Sequence, residues 1–185
     1  TITTKGGNAT AAGKDGGSVT LNSSGSTLTV TGAITSRGSD ATSGNNNGGK
    51  GGDLSLSGAT GIALNANLTA VGGALSGSGA LGASGTVGLT SSAGSIAGAG
   101  VINTTNSLTV NAATGINLSG NNIVTSVTLN NGATSGDIFY ASANPGSTSV
   151  TGANLFAGGN FTVAEIGTGN LTVARLIGLI GGLSF

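Results

Sequence analysis

An apolar–polar–apolar triplet returns along this chain at fixed places in a longer frame, and that repetition leaves few folds open. The pairs are Val19/Leu21, Leu28/Val30, Leu54/Leu56, Ile62/Leu64, Val87/Leu89, Leu108/Val110, Ile116/Leu118, Val127/Leu129, Phe161/Val163 and Leu171/Val173. A period of two places both apolar members on one face of a strand. The middle residue is Thr in six of the ten pairs, and Ser, Ala, Gly or Asn in the others, which suits an outward position. Strands this short are not stable alone, so each unit must stack on its neighbours. Residues 107–129 read as one full turn of such a stack. Leu108-Thr109-Val110, Ile116-Asn117-Leu118 and Ile123-Val124 follow one another, and Val127-Thr128-Leu129 restates the first triplet 19 residues on.

A longer frame is visible in the first half. Gly16-Gly17-Ser18-Val19-Thr20-Leu21 matches Gly51-Gly52-Asp53-Leu54-Ser55-Leu56, and Gly85-Thr86-Val87-Gly88-Leu89 is a third copy, at spacings of 35 and 33 residues. The strand-like segments at Ile2, Ile34 and Leu68 align in the same way. Each is followed by a glycine-rich stretch, 6–17, 38–52 and 72–85, which reads as a loop inserted at one corner and emerging on one side of a rod. From Ile102 to Leu108 the insertion is gone, and the period falls to about 20 residues. Beyond Gly132, strands are expected at 137–140 and 149–151, a further coil start at Asn154-Leu155-Phe156, and two neighbouring faces at 160–166 and 170–176. The predicted fold is all-β: one β-solenoid domain over 1–185, with loop-bearing coils at about 1–86 and compact coils at about 87–185. Eight or nine coils would make a rod of roughly 40 Å. A sandwich of short strands is the competing architecture; it does not explain why residue types recur in fixed frames.

Composition narrows the function. Gly is 38 of 185 residues and charged residues are 5%, yet mean hydropathy is positive and net charge is zero, so the low-hydrophobicity signature of disorder is absent. Lys5, Lys14, Arg37, Lys50 and Arg175 are scattered and form no basic patch for nucleic acid. No apolar run reaches the roughly 18 residues of a membrane span. Cys, Met, Trp and His are absent, so a His-dependent nucleophile is excluded. The chain opens inside a strand-like segment, Thr1-Ile2-Thr3-Thr4, with neither initiator Met nor signal peptide. The expectation is a mature product or an excised piece.

The frames at 16–21 and 51–56, with Gly32-Ala33-Ile34-Thr35-Ser36 and Ala113-Thr114-Gly115-Ile116-Asn117-Leu118, resemble the repeats of filamentous haemagglutinin-type adhesins. The resemblance extends over nearly the whole chain. It implies a right-handed parallel β-helix shaft of a bacterial exoprotein exported by two-partner secretion. The Asn-Pro-Asn-Leu motif of that family's secretion domain is not matched, because Asn144-Pro145 is followed by Gly146.

The carboxylates are Asp15, Asp40, Asp53, Asp137 and Glu165. Asp15 and Asp53 both precede a first strand, and stacked at one corner they would offer a paired-carboxylate or cation site. Turn residues beside glycine are the favoured reading, since no third ligand accompanies them. The run 48–53 has the glycines of a calcium-binding nonapeptide, but Ser55 stands where an apolar residue is required and no tandem copy follows. Lys50 is not followed by Ser or Thr, so the run is not a phosphate loop. Thr20, Thr109, Thr128, Thr162 and Thr172 would order water if aligned on one face, as in an ice-binding protein, but Ser55, Ala63, Gly88 and Asn117 interrupt them. Asn111, Asn117 and Asn130 are candidates for hydrogen-bonded ladders. No catalytic, cofactor-binding or metal-ligating residue is assigned, and no cofactor.

The function expected is therefore non-enzymatic and extracellular: the shaft of a bacterial cell-surface or matrix fibre. Its partners would be flanking coils or further copies of itself stacked end to end, possible surface glycans, and no nucleic acid or membrane span. Residues 176–185 are apolar and uncharged, so a charge at Ile180 is expected to block end-to-end growth. A carbohydrate-active or carbohydrate-binding β-helix is the alternative, and an ice-binding protein the remote one.

Overall fold

The computed structural model describes residues 1–132, 136–154, 159–177 and 183–184. In chain order the strands begin with β1 (Ile2–Lys5), β2 (Val19–Ser23), β3 (Leu28–Val30), β4 (Ile34–Arg37), β5 (Leu54–Gly58) and β6 (Ile62–Leu64). They continue with β7 (Leu68–Val71), β8 (Val87–Ser91), β9 (Ile96–Gly98), β10 (Ile102–Ala112) and β11 (Ile116–Asn131). The last are β12 (Ile138–Ser142), β13 (Ser147–Asn154), β14 (Phe161–Glu165), β15 (Asn170–Ile177) and β16 (Leu183–Ser184). The described residues hold no helix long and apolar enough to cross a membrane. The expected coil start at Leu155-Phe156, the docking position Ile180 and the terminal Phe185 lie outside the described residues.

Every pairing between these strands is parallel, and the pairings sort into three stacks. The first joins β1, β4, β7, the start of β10 and the middle of β11, with Ile2, Ile34, Leu68 and Ile102 in one column. The second joins β2, β5, β8, the end of β10, the end of β11, β13 and β15. Its central column is Val19, Leu54, Val87, Leu108, Val127, Val150 and Val173. The third joins β3, β6, β9, the start of β11, β12, β14 and β16, with Leu28, Ile62, Ile96, Ile116, Ile138 and Phe161 in column. The chain passes from second to third to first stack and then begins the next layer. Seven strands in a stack span about 30 Å at the usual strand spacing. This is a solenoid-like parallel β structure, and the two long frames read from the sequence are its registers.

Inward alternation builds a single core. Leu54, Leu56, Ile62, Leu64, Leu68, Val87, Leu89, Ile96 and Ile102 are each no more than 2% exposed and belong to one cluster drawn from all three stacks. Four members of the triplets, Leu21, Leu28, Leu171 and Val173, are only half-buried. Leu21 and Leu28 lie on β2 and β3, which among the described residues have a strand neighbour on one side only. Leu89 stacks between Leu56 and Val110 and is fully buried. Leu89→Ala should lower unfolding free energy in a urea titration by about 2–5 kcal/mol. The outward Thr109→Ala should stay within about 0.5 kcal/mol of wild type, and equal losses at the two positions would contradict this burial pattern.

Candidate functional site

The glycine-rich stretches are not open loops. Each runs out from the first stack and returns to the second, and the legs of successive layers hydrogen-bond directly. Outgoing legs are joined by Gly6 N to Arg37 O at 2.9 Å, Gly38 N to Val71 O at 3.1 Å and Ala41 N to Ala74 O at 2.9 Å. Returning legs are joined by Gly13 N to Asn47 O at 2.8 Å, Gly48 N to Ala80 O at 3.0 Å and Gly51 N to Ala83 O at 2.9 Å. A zigzag then ties outgoing to returning legs: Ser39 N to Lys14 O, Gly49 N to Ser39 O, Gly73 N to Gly49 O and Gly82 N to Gly73 O, all between 2.8 and 2.9 Å. The result is a backbone-bonded lobe flanking the first three layers. It requires glycine where legs cross, because a Cβ at Gly49 would run into the Lys14 carbonyl and one at Gly73 into the Ser39 carbonyl. In the next layer β10 runs straight through this corner, with a register shift between Thr104 and Ser107.

The aspartates serve this stacking. Asp15 Oδ1 accepts Lys50 N–H, Asp40 Oδ1 accepts Ala74 N–H, Asp53 Oδ1 accepts Thr86 N–H and Asp137 Oδ1 accepts Asn160 N–H, each at 2.7 Å. In every case the N–H belongs to the residue lying one layer further on in the same column. At these corners the chain turns out of its ladder and the regular carbonyl partner faces elsewhere: Lys14 O, the ladder partner for Lys50 N–H, is taken by Ser39 N–H. The side-chain oxygen replaces it, as local side-chain acceptors do at turns. Asn47 and Asn67 do the same for Ala80 and Val101. Asp15 and Asp53 are therefore not equivalent, contrary to the sequence expectation. The register sets Ser18 beneath Asp53, whose N–H bonds Ser18 Oγ at 3.1 Å, while Asp15 lies beneath Lys50. Among the described residues no three acidic side chains gather as a metal site. The Arg37–Asp40 ion pair, 2.7 Å across, is exposed at both ends and contributes little. The Ala74 N–H, followed by the nearby Arg37 charge, holds Asp40 below the ordinary aspartate range.

The outward threonines do not form one array. Thr20, Ser55, Gly88, Thr109, Thr128 and Thr151 share a column on the second stack. Thr162 is on the third stack, and Thr172 falls one rank aside, opposite Ser149. The asparagines are divided as well. Asn130 Nδ2 donates to Asn111 Oδ1 at 2.9 Å, the ladder that the sequence suggests. Buried Asn122, not anticipated, ties three layers together: its Oδ1 accepts Ile102 N–H at 2.9 Å, and its Nδ2 donates to Leu118 O at 3.3 Å and Ala141 O at 2.9 Å. Asn117 joins no ladder and is exposed. Tyr140 is fully buried, with no partner for its hydroxyl among the described residues, and burial, then the charge of Glu165, pushes its pKa up.

The described residues also form several surface hollows, and one of them includes an outward aromatic side chain. A hollow of about 430 Å³ opens on the outward side of the third stack, bounded by Asp137, Phe139 and Asn117. Strand alternation in Asp137-Ile138-Phe139-Tyr140 was the signal that Phe139 faces outward; the hollow depends on small residues of adjacent layers, which no local pattern reveals. No family model, no curated protein and no solved structure matches the chain.

Two measurements test the roles just described. In hydrogen exchange, the amides of Gly48 and Gly51 should be protected in wild type and exposed in Gly49→Ala, while Gly25→Ala, whose added methyl meets nothing within 4 Å, leaves them unchanged. Exchange of these amides at unfolded rates in wild type would refute the bonded lobe. Asp40 has a lowered folded pKa, so its stabilisation is present above the ordinary value and is lost as pH falls through the lowered one. The stability difference between wild type and Asp40→Ala should accordingly close as pH drops below about 4, and a difference constant across that range would exclude this linkage.

Proposed function

We propose that this chain is a non-enzymatic shaft element of an extracellular bacterial surface or matrix fibre, folded as a right-handed parallel β-helix of eight or nine coils. Seven strands on the second stack, preceded by the partial turn at β1, support a count of eight. The observation that carries the reading is the parallel stacking of strands on three faces over successive layers, with local register shifts in the β10–β11, β11–β12 and β13–β15 pairings. Among the described residues, strands β1, β2 and β3 each pair on one side only, and Ile2 is 38% exposed at that edge. Unpaired strand edges over half-covered apolar side chains attract further strands. The natural occupant is another coil in the same register, from flanking sequence or from a second copy stacked end to end. The use of all four aspartates as backbone acceptors supports a structural rather than a catalytic role for them.

Sedimentation velocity across a concentration series tests the self-stacking form. Wild type should give length-heterogeneous linear species, one rod wide under the electron microscope. Leu21→Asp, which charges the open edge, should stop growth, and Ser24→Asp on the exposed turn should not. Wild type that stays monomeric at every concentration would sink self-stacking and leave a flanking coil as the occupant.

A further inference from the structure

The hollow on the third stack is built by three successive layers. Register places Ser95, Gly115, Asp137 and Asn160 in one outward column and Ala97, Asn117, Phe139 and Thr162 in the next. Ala97 and Gly115 are small, so the floor is low where Asp137 and Phe139 rise beside it. Among the described residues, Tyr140 and Phe161 are fully buried, and Phe139 alone of the aromatics reaches the surface. Around its ring stand hydrogen-bonding groups that the fold does not use. Asp137 accepts Asn160 N–H at Oδ1 and is otherwise exposed, which leaves Oδ2 open to a ligand. Among the described residues the Asn117 amide has no hydrogen-bond partner, in contrast to Asn111, Asn122, Asn130 and Asn144, which are all engaged in the stack. Thr114 and Ser95 add hydroxyls at the rim, and no Lys or Arg lines the hollow.

We infer that this hollow is a binding site for a neutral pyranose, one or two residues of a surface glycan. Such a ring has an apolar C–H face and a polar hydroxyl edge. The C–H face packs on Phe139, whose ring offers an apolar surface with a negative face. The hydroxyls donate to Asp137 Oδ2 and exchange bonds with the Asn117 amide, which both donates and accepts. The absence of cations from the lining disfavours sulfated or uronic sugars, whose charge would meet Asp137 unscreened. The volume falls in the range of small-molecule sites, about 300–1,000 Å³. The columns run across the layers, so a glycan chain would lie along the rod with successive rings over successive strands. This site deepens the adhesive reading above and rests on it.

The test is saturation-transfer NMR with the intact chain and the methyl glycosides of glucose, galactose, mannose and N-acetylglucosamine as probes. At least one should receive saturation and compete with its own disaccharide. Phe139→Ala should weaken that binding about threefold to tenfold, the worth of one aromatic stacking contact. Asn117→Ala should weaken it severalfold, with circular dichroism unchanged in both variants. No transfer to any probe at millimolar concentration would overturn the site, and so would equal transfer in wild type and both variants. Sedimentation of the same samples separates this from the fibre reading: sugar binding can fail with assembly intact, and assembly can fail with sugar binding intact.

Discussion

Parallel hydrogen bonding between layers is the constraint on which the rest of this structure depends. Three-residue strands such as β3, β6 and β9 have too few contacts to persist by themselves, and each exists because a strand above or below accepts its N–H groups. In-register stacking then dictates side-chain type. A residue that faces inward in one layer lies over an inward residue in the next, so Val19, Leu54, Val87, Leu108 and Val127 must all be apolar. The glycine lobe obeys the same rule without regular strands. Its legs approach until carbonyl meets N–H across both directions, and that leaves no room for a Cβ at Gly49 or Gly73.

Corners are where a stack of this kind is weakest, because the chain leaves one ladder before entering the next and strands a donor each time. Even at an exposed corner, a side-chain oxygen can take the place of the backbone acceptor that the turn removes, and this chain uses short side-chain acceptors in that way. A carboxylate serves best, since an ionised acceptor makes the shorter and stronger bond, and four of the ten charged residues are spent in this way. Inside the rod the same need is met by uncharged groups. Ser36 donates to Gly17 O and accepts Gly52 N–H, both at 2.8 Å, and Thr104 donates to Gly85 O at 2.6 Å. These inward polar residues therefore do not interrupt the core; they hold adjacent layers at the turn between the first and second stacks.

Much of this was legible in the sequence because stacking repeats residue types. The triplets named the inward columns, and the frames at 16–21, 51–56 and 85–89 named the register of the second stack. What the sequence did not disclose depends on which donor each corner strands. Asp15 and Asp53 look alike when each is read as the acid before a strand, yet one lies beneath Lys50 and the other above Ser18, three positions apart in the frame. The five threonines look like one rank in a linear reading, but a one-dimensional pattern does not say which face follows which, and Thr162 lies on the third stack. The lobe was readable as three insertions on one side. That their glycines serve close backbone contact, rather than freedom of the loop, follows only from the crossing of legs, both within one insertion, such as Gly38 with Gly49, and between insertions, such as Lys14 with Ser39 and with Gly49.

A stack held together by its own backbone leaves two different surfaces to the outside: strand edges at its ends and side-chain columns on its flanks. They point at right angles, so an occupant of one does not compete with an occupant of the other. The edge is uniform, since any parallel strand satisfies it, and specificity there comes only from matching three faces at once. The flank is specific, since Phe139, Asn117 and Asp137 occur together in one place on the third stack. In a fibre of stacked copies the hollow would recur once per copy. A single neutral sugar ring on one aromatic and two polar groups binds weakly, but tethered sites convert each later contact into an intramolecular one. Adhesion by such a fibre would then follow from assembly, with affinity gained by repetition of a modest site rather than by elaboration of a single one.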